Sequence, residues 1–220
     1  MGADAAVPPG RRRSAGTRAV GRAVPGQKDG RTARAERTRR AMVDALLALI
    51  AEGDLKASPE RIVERAGVSL RTLWTNFKDL EGLYAAANVR LIELQNAAYR
   101  PIPATGPLAE RIRAFCEQRG RLLEMSAPAA RASQLRLPYS AQLRRNRAVH
   151  YARSCDEFDL VFPTELAAAE DRERVVRALL VNTSSAAWSL LRDELGLDQD
   201  TATAVMTRSV AALLEPAVEN

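Results

Sequence analysis

Cysteine and histidine are nearly missing from this sequence, which has only Cys116, Cys155 and His150. The two cysteines lie far apart and outside any Cys-x-x-Cys, which argues against a disulfide framework and a thiolate zinc site and fits a reducing cytoplasm. His150 and Cys155 fall five residues apart on one expected helix, so their side chains diverge instead of meeting as base and nucleophile. Asp156, Glu157 and Asp159 beside them read as a charged helix flank rather than a metal site. No glycine-rich phosphate loop occurs either. With no constellation left to carry a reaction, no catalytic residue, metal or cofactor is expected.

Long apolar runs are missing as well. Stretches such as Ala45–Ala51 are short and flanked by charge, well below the ~18 residues of a membrane span, so no membrane partner is expected. Met1–Arg13 lacks the apolar region of a secretory signal, and Ala6 stands where a myristoylation pattern requires Ser or Thr. Strand-like alternation and internal repeats are absent too. What remains is a chain of 220 residues, 46% hydrophobic, with apolar residues at helical spacing between proline and glycine breaks, so the expected fold is all-α.

The net charge of +6 is unevenly placed: residues 1–35 carry eight Arg or Lys against Asp4 and Asp29, and the rest of the chain carries 25 of each sign. The first 34 residues, rich in Gly, Pro, Ala and Arg, cannot recover their ordering entropy by burial and are expected to be a disordered basic arm. Such an arm either touches phosphates or a minor groove or is a solvated extension.

Next come the expected helices. The first, from about Ala35 to Glu52, has Met42, Leu46, Leu49 and Ile50 on one face. The second has Ser58 as N-cap, Pro59 at its first position and Ile62, Val63 and Ala66 inward, and it stops at Gly67. The third is short, capped by Ser69, with Leu73 and Phe77 inward. Asp79 caps a fourth, striped by Leu83, Ala87, Leu91 and Leu94, and Pro101–Pro107 then marks a domain boundary. Further helices are expected at about 108–125, 128–137, 139–161 and 169–195, the last ending on Gly196 as a left-handed residue with Leu197 packed back on Leu191. Asp198 caps the final helix. The expected domains are thus 1–34 (arm), 35–98 (helix-turn-helix with linking helix) and 99–220.

A short helix, a glycine turn, Val68 and a serine cap are the parts of a helix-turn-helix. With Leu73 and Phe77 inward, the second of the pair exposes Arg71, Thr72, Trp74, Thr75 and Asn76, which suit base edges and backbone in a major groove. At this point the stretch Ala66-Gly-Val-Ser-Leu-Arg-Thr-Leu-Trp-Thr-Asn-Phe77 resembles the DNA-binding signature of the tetracycline-repressor (TetR) family, over about Arg37 to Ala87. That family's usual Tyr is Trp74 here, its next Tyr and His are Thr75 and Asn76, and its Phe is Phe77. Where the family often has a Lys at the start of the fourth helix this chain has Leu80 before Glu81, and Lys78 is the nearest replacement.

The resemblance implies an N-terminal three-helix DNA-binding domain followed by a helical effector-binding and dimerisation domain. It implies a dimeric, ligand-responsive repressor on a palindromic operator, with double-stranded DNA, a second copy and an unknown small molecule as partners. Candidate DNA-binding residues are Ser58, Ser69, Arg71, Thr72, Trp74, Thr75, Asn76 and Lys78. The apolar faces of the last two helices make Trp188, Leu191, Val205, Val210 and Leu214 the dimerisation candidates. Polar or unusual groups on the middle helices, Phe115, Cys116, Arg119, Met125, His150, Tyr151, Asn182 and Ser185, are the ligand candidates. The alternative is a constitutive or architectural DNA-binding protein without an effector.

Overall fold

A computed structural model describes residues 26–215, with side-chain surroundings from Thr32 onward. The expected arm lies outside the described residues up to residue 25. From Gly26 the chain is already helical: α1 spans Gly26–Ala51, nine residues longer at its start than the sequence reading had it. Gln27, Lys28, Arg31, Ala33 and Arg34 are good helix formers, and extending a helix already nucleated over 37–51 adds one hydrogen bond per residue fixed. Burial is not what holds this part, since Thr32 to Glu36 are all exposed. Two compact units divide the chain at residue 36/37, and the helices that follow α1 belong to the second.

Helices α2 (Pro59–Ala66), α3 (Leu70–Asn76) and α4 (Leu80–Ala98) follow α1. Their N-caps are the expected ones: Ser58, Ser69 and Asp79 each accept a backbone N–H three residues on. These four helices share one apolar cluster built on Met42, Leu46, Ile50, Ile62, Leu73, Phe77, Leu83 and Tyr84. Past the loop at 99–107 come α5 (Leu108–Gln134), a 3₁₀ turn (Leu137–Tyr139), α6 (Ala141–Val161) and α7 (Pro163–Ala168). The chain ends in α8 (Arg172–Asn182), α9 (Ser185–Ser189), a single π turn (Leu190–Glu194) and α10 (Gln199–Leu214). No strand occurs among the described residues.

The second apolar cluster centres on Phe115, which meets Phe158 and Phe162 edge to face at 5.8 and 5.4 Å. Arg111 fastens α5 to the junction of α6 and α7. Its guanidinium donates to Val161 O at 2.7 Å and pairs with Glu165, whose carboxyl is held below its usual range chiefly by that hydrogen bonding. The expected boundary at Pro101–Pro107 therefore separates two cores within one compact unit, because α4 also packs on α5 and α6.

Two expected helix breaks fall elsewhere. Pro128 sits inside α5 instead of dividing it. A proline in a helix interior costs about 3 kcal/mol, but Leu123, Ala127 and Ala132 are buried on both sides of it and hold the two halves of α5 in the core. Conversely, the expected 169–195 helix is broken after Asn182. Asn182 Nδ2 donates to Ala178 O, Thr183 Oγ1 to Leu179 O and Ser184 Oγ to Val181 O, and Ser184 then caps α9 by accepting Ala187 N–H. Three consecutive side chains able to bond their own backbone end the helix from within. The chain does turn at Gly196, with φ of 66°, but closes through a wider bond from Leu197 N to Leu191 O, as the π turn before it requires.

Candidate nucleic-acid interface and internal cavity

Gly67 takes φ of 66° and closes α2 with two bonds, Gly67 N to Glu64 O and Val68 N to Val63 O, the paired closure of a left-handed helix end. Only Gly67 and Val68 separate α2 from the Ser69 cap, and α3 buries Leu73, with Phe77 just after it, on its inner side. Its other side is open: Leu70, Arg71, Trp74 and Thr75 are exposed, with Trp74 at 44%, and Thr72 and Asn76 are half-buried. The C-terminal end of α3 is pinned by α1, where Arg39 donates to Asn76 O at 2.7 Å and lies over the Phe77 ring at 4.1 Å.

Charge on the two crossing helices is arranged differently. On α2, Arg61 pairs with Asp54 and Arg65 with Glu52. By contrast Arg71 on α3, Lys78 just after it, Lys56 before α2 and Arg37 near the start of the unit are exposed and form no ion pair among the described residues. An unneutralised cation at a surface is what a phosphate requires. Ser58 and Ser69 serve first as caps, and both are engaged with their own helix starts.

Between α4, α5 and α6 lies a cavity of about 420 Å³ lined by Tyr99, Arg119, His150, Arg153 and Glu157 among others. A smaller one, about 100 Å³, adjoins it and shares Gln95, Leu123 and His150 as wall; Asn88, Asn146, Tyr151 and Ser185 line it too. Arg119, buried beneath the larger cavity, donates to Glu157 at 2.5 Å and to Ser154 at 3.3 Å. Its Nε, like Asn146 Nδ2, has no hydrogen-bond partner among the described residues. Burial, and then the neighbouring Arg119, Arg153 and Arg147, push His150 down to about 4, so its imidazole is neutral at pH 7. Burial raises Tyr99, with Glu157 adding to the effect.

Of the ligand candidates read from the sequence, Arg119, His150, Tyr151 and Ser185 reach these cavities. Phe115 and Cys116 are instead fully packed in the core, where burial lifts the thiol to about 11 and leaves it unreactive. Met125 is exposed, and Asn182 is bonded back to its own helix. The sequence reading missed the α4 wall, although Asn88 and Gln95 recur at helical spacing beside Leu91 and interrupt an otherwise apolar stripe.

The dimerisation candidates divide in the same way. Val210 and Leu214 point into the chain's own core with Ala202 and Met206, and so does Trp188, whose indole donates to Glu124 at 2.9 Å. Leu191 packs against that core as well. Of these candidates Val205 alone is exposed, at 41%; Val181 at 66%, Leu190 and Leu195 are the other exposed large apolar residues of the last three helices and the π turn with its C-cap. The apolar stripe that suggested an interface is used to close the core that α5 to α10 share. Among the described residues no group of His, Cys, Asp and Glu can hold a metal, and no helix is long and apolar enough to cross a membrane.

No protein-family model matches the chain, and no curated protein matches it in sequence. Solved structures do match its fold. A transcriptional regulator from Rhodococcus sp. Rha1 is 19% identical with a TM-score of 0.64, over 82% of this chain and 95% of its own. A TetR-family transcriptional regulator from Streptomyces coelicolor is 20% identical with a TM-score of 0.64, over 81% of this chain and 80% of its own. A TetR transcription regulator from Haloarcula marismortui is 16% identical with a TM-score of 0.63, over 82% of this chain and the whole of its own. At such identities the likeness is one of fold: the chain has the fold of these regulators.

Proposed function

We propose that the protein is a dimeric, DNA-binding transcription regulator that represses in the absence of a small-molecule effector. The observation that carries the DNA-binding part is the state of α3: fixed on its inner side by Leu73 and Phe77, pinned at its end by Arg39, and open on a face whose cation is unneutralised. A helix held this way lies in a major groove without rearrangement, and Lys78 and Lys56 meet the phosphates beside it. Two such helices in a two-fold dimer read half-sites about one helical turn apart, so the operator is a near-palindrome.

The cavities support the effector part. Helix α4 contributes Asn88, Leu91, Gln95 and Asn96 to their walls and Leu83 and Tyr84 to the core that holds α3. It is tied across the cavity mouths by Gln95 to Leu122 O at 3.3 Å and by Arg153 to Asn96 at 2.5 Å. A molecule that binds one placement of α4 better than another shifts the spacing of the recognition helices by that difference in affinity. The buried, unpartnered donors on Arg119 and Asn146 favour a ligand carrying hydrogen-bond acceptors.

Selection of DNA from a random pool by the full-length protein tests the reading. Enrichment of one near-palindromic sequence is expected, and a compound that raises the melting temperature is expected to weaken that binding. A pool that stays random rejects the regulator reading. A stable operator complex that no cavity-binding compound weakens rejects the effector and leaves constitutive binding.

A further inference from the structure

We propose that base reading by α3 is confined to two side chains: Arg71, which takes a guanine through N7 and O6, and Trp74, whose ring covers the 5-methyl group of a thymine on a neighbouring base pair. The inference rests on the DNA-binding reading above and goes beyond it by naming the bases and assigning the exposed polar residues unequal parts.

The internal hydrogen bonds of α3 carry the argument. Thr75 Oγ1 donates to Arg71 O at 2.7 Å, which folds a short side chain back against its own helix and uses its only donor. Asn76 Nδ2 donates to Thr72 O at 2.8 Å from a half-buried position, so the donor–acceptor edge that would pair with adenine is turned toward the helix. Thr72 Oγ1 is joined to Ser69 Oγ at 2.9 Å within the cap. Three of the four polar residues that a helical-wheel reading assigns to bases are therefore already occupied.

Arg71 and Trp74 remain. The Arg71 guanidinium is exposed and has no partner among the described residues, and its planar fork matches the two acceptors that guanine presents in the major groove. Trp74, exposed and next to the exposed Leu70 one turn back, offers a large apolar surface, which in that groove finds its counterpart in the thymine methyl. Residues three apart share a helix face and stand about 4.5 Å apart along the axis, close to the 3.4 Å between stacked bases, so the two contacts fall on adjoining or next-adjoining base pairs.

The test uses the operator selected from the random pool, with each guanine in turn replaced by 7-deazaguanine and each thymine by deoxyuridine. In each half-site one guanine position is expected to weaken the wild type by about tenfold or more, and one thymine within two base pairs of it by about three- to fourfold. The guanine penalty disappears in Arg71→Ala and the thymine penalty in Trp74→Ala, each variant keeping the other's. Both residues are exposed, so circular dichroism of the variants should match the wild type. Thr75→Val and Asn76→Ala should select the same sequence as the wild type. Penalties that persist in the two variants, or a changed base preference in Thr75→Val or Asn76→Ala, overturn the assignment while leaving DNA binding intact. A pool with no common sequence overturns DNA binding and this assignment together.

Discussion

His150, the one imidazole in the chain, stands where a positive charge is least welcome, in the wall between two cavities and facing Arg119, Arg153 and Arg147. Folded, it takes up a proton only near pH 4; unfolded, it does so near its ordinary 6.5. Between those values the unfolded chain binds more protons than the folded one, so stability is complete above pH 6.5 and falls as pH drops toward 4. The loss from this group reaches about 2 kcal/mol by pH 5. His150→Gln removes it, so urea midpoints at pH 7 and pH 5 should lie closer together for the variant than for the wild type. Equal spacing would mean that the folded imidazole titrates freely.

Helix α5 comes close to its neighbours at Gly120, where a Cβ would stand 2.7 Å from Thr203 Oγ1 on α10 and 3.2 Å from the Trp188 ring. The indole cannot move aside easily, because Glu124 holds its Nε1 while also gripping Arg192 through both oxygens. Gly120→Ala therefore destabilises the fold by about 1–3 kcal/mol in chemical denaturation, although alanine favours an isolated helix by about 1 kcal/mol. Adding Thr203→Ala should restore part of the loss. A Gly120→Ala protein more stable than the wild type would show that α5 and α10 pack loosely.

Elements also show which parts of the structure could be read in the sequence. Ser58, Ser69, Asp79 and Gly67 act through bonds to residues two to five positions away, so local spacing was enough to locate α2, α3 and the start of α4. Pro128 and Gly120 take their meaning from partners on other helices, and no local pattern announces them. Asn182-Thr-Ser-Ser185 looked like polar groups around a ligand because it interrupts an apolar run. Three of the four are in fact bonded to their own backbone, and only Ser185 reaches a cavity. An amphipathic pattern likewise says that the face of α10 with Val210 and Leu214 is buried, but not whether by its own chain or by another.

At the scale of the whole molecule that distinction decides how a dimer is tested. Glutamate at Val210 or Leu214 places a charge in the subunit core and unfolds it, whatever the state of assembly. The informative positions are Val181 and Val205, exposed on the terminal helices. Val181→Glu with Val205→Glu should leave the circular dichroism spectrum unchanged and yield a monomer by light scattering at concentrations where the wild type is a dimer. A double variant that stays dimeric places the interface on another surface.

Helix α4 also has the proportions of a lever. Its 19 residues make a rod about 28 Å long, gripped at one end beside Leu83 and Tyr84 and loaded near the other by the cavity walls. Rotating such a rod by about 5° swings one end by about 2.4 Å relative to the other. In the dimer proposed above the two swings oppose, so the two α3 helices part by close to 5 Å, more than the 3.4 Å step of one base pair. On the proposed reading the displacement comes from rod length alone, and a tilt of a few degrees set by a molecule in the cavity puts both helices out of step with their grooves.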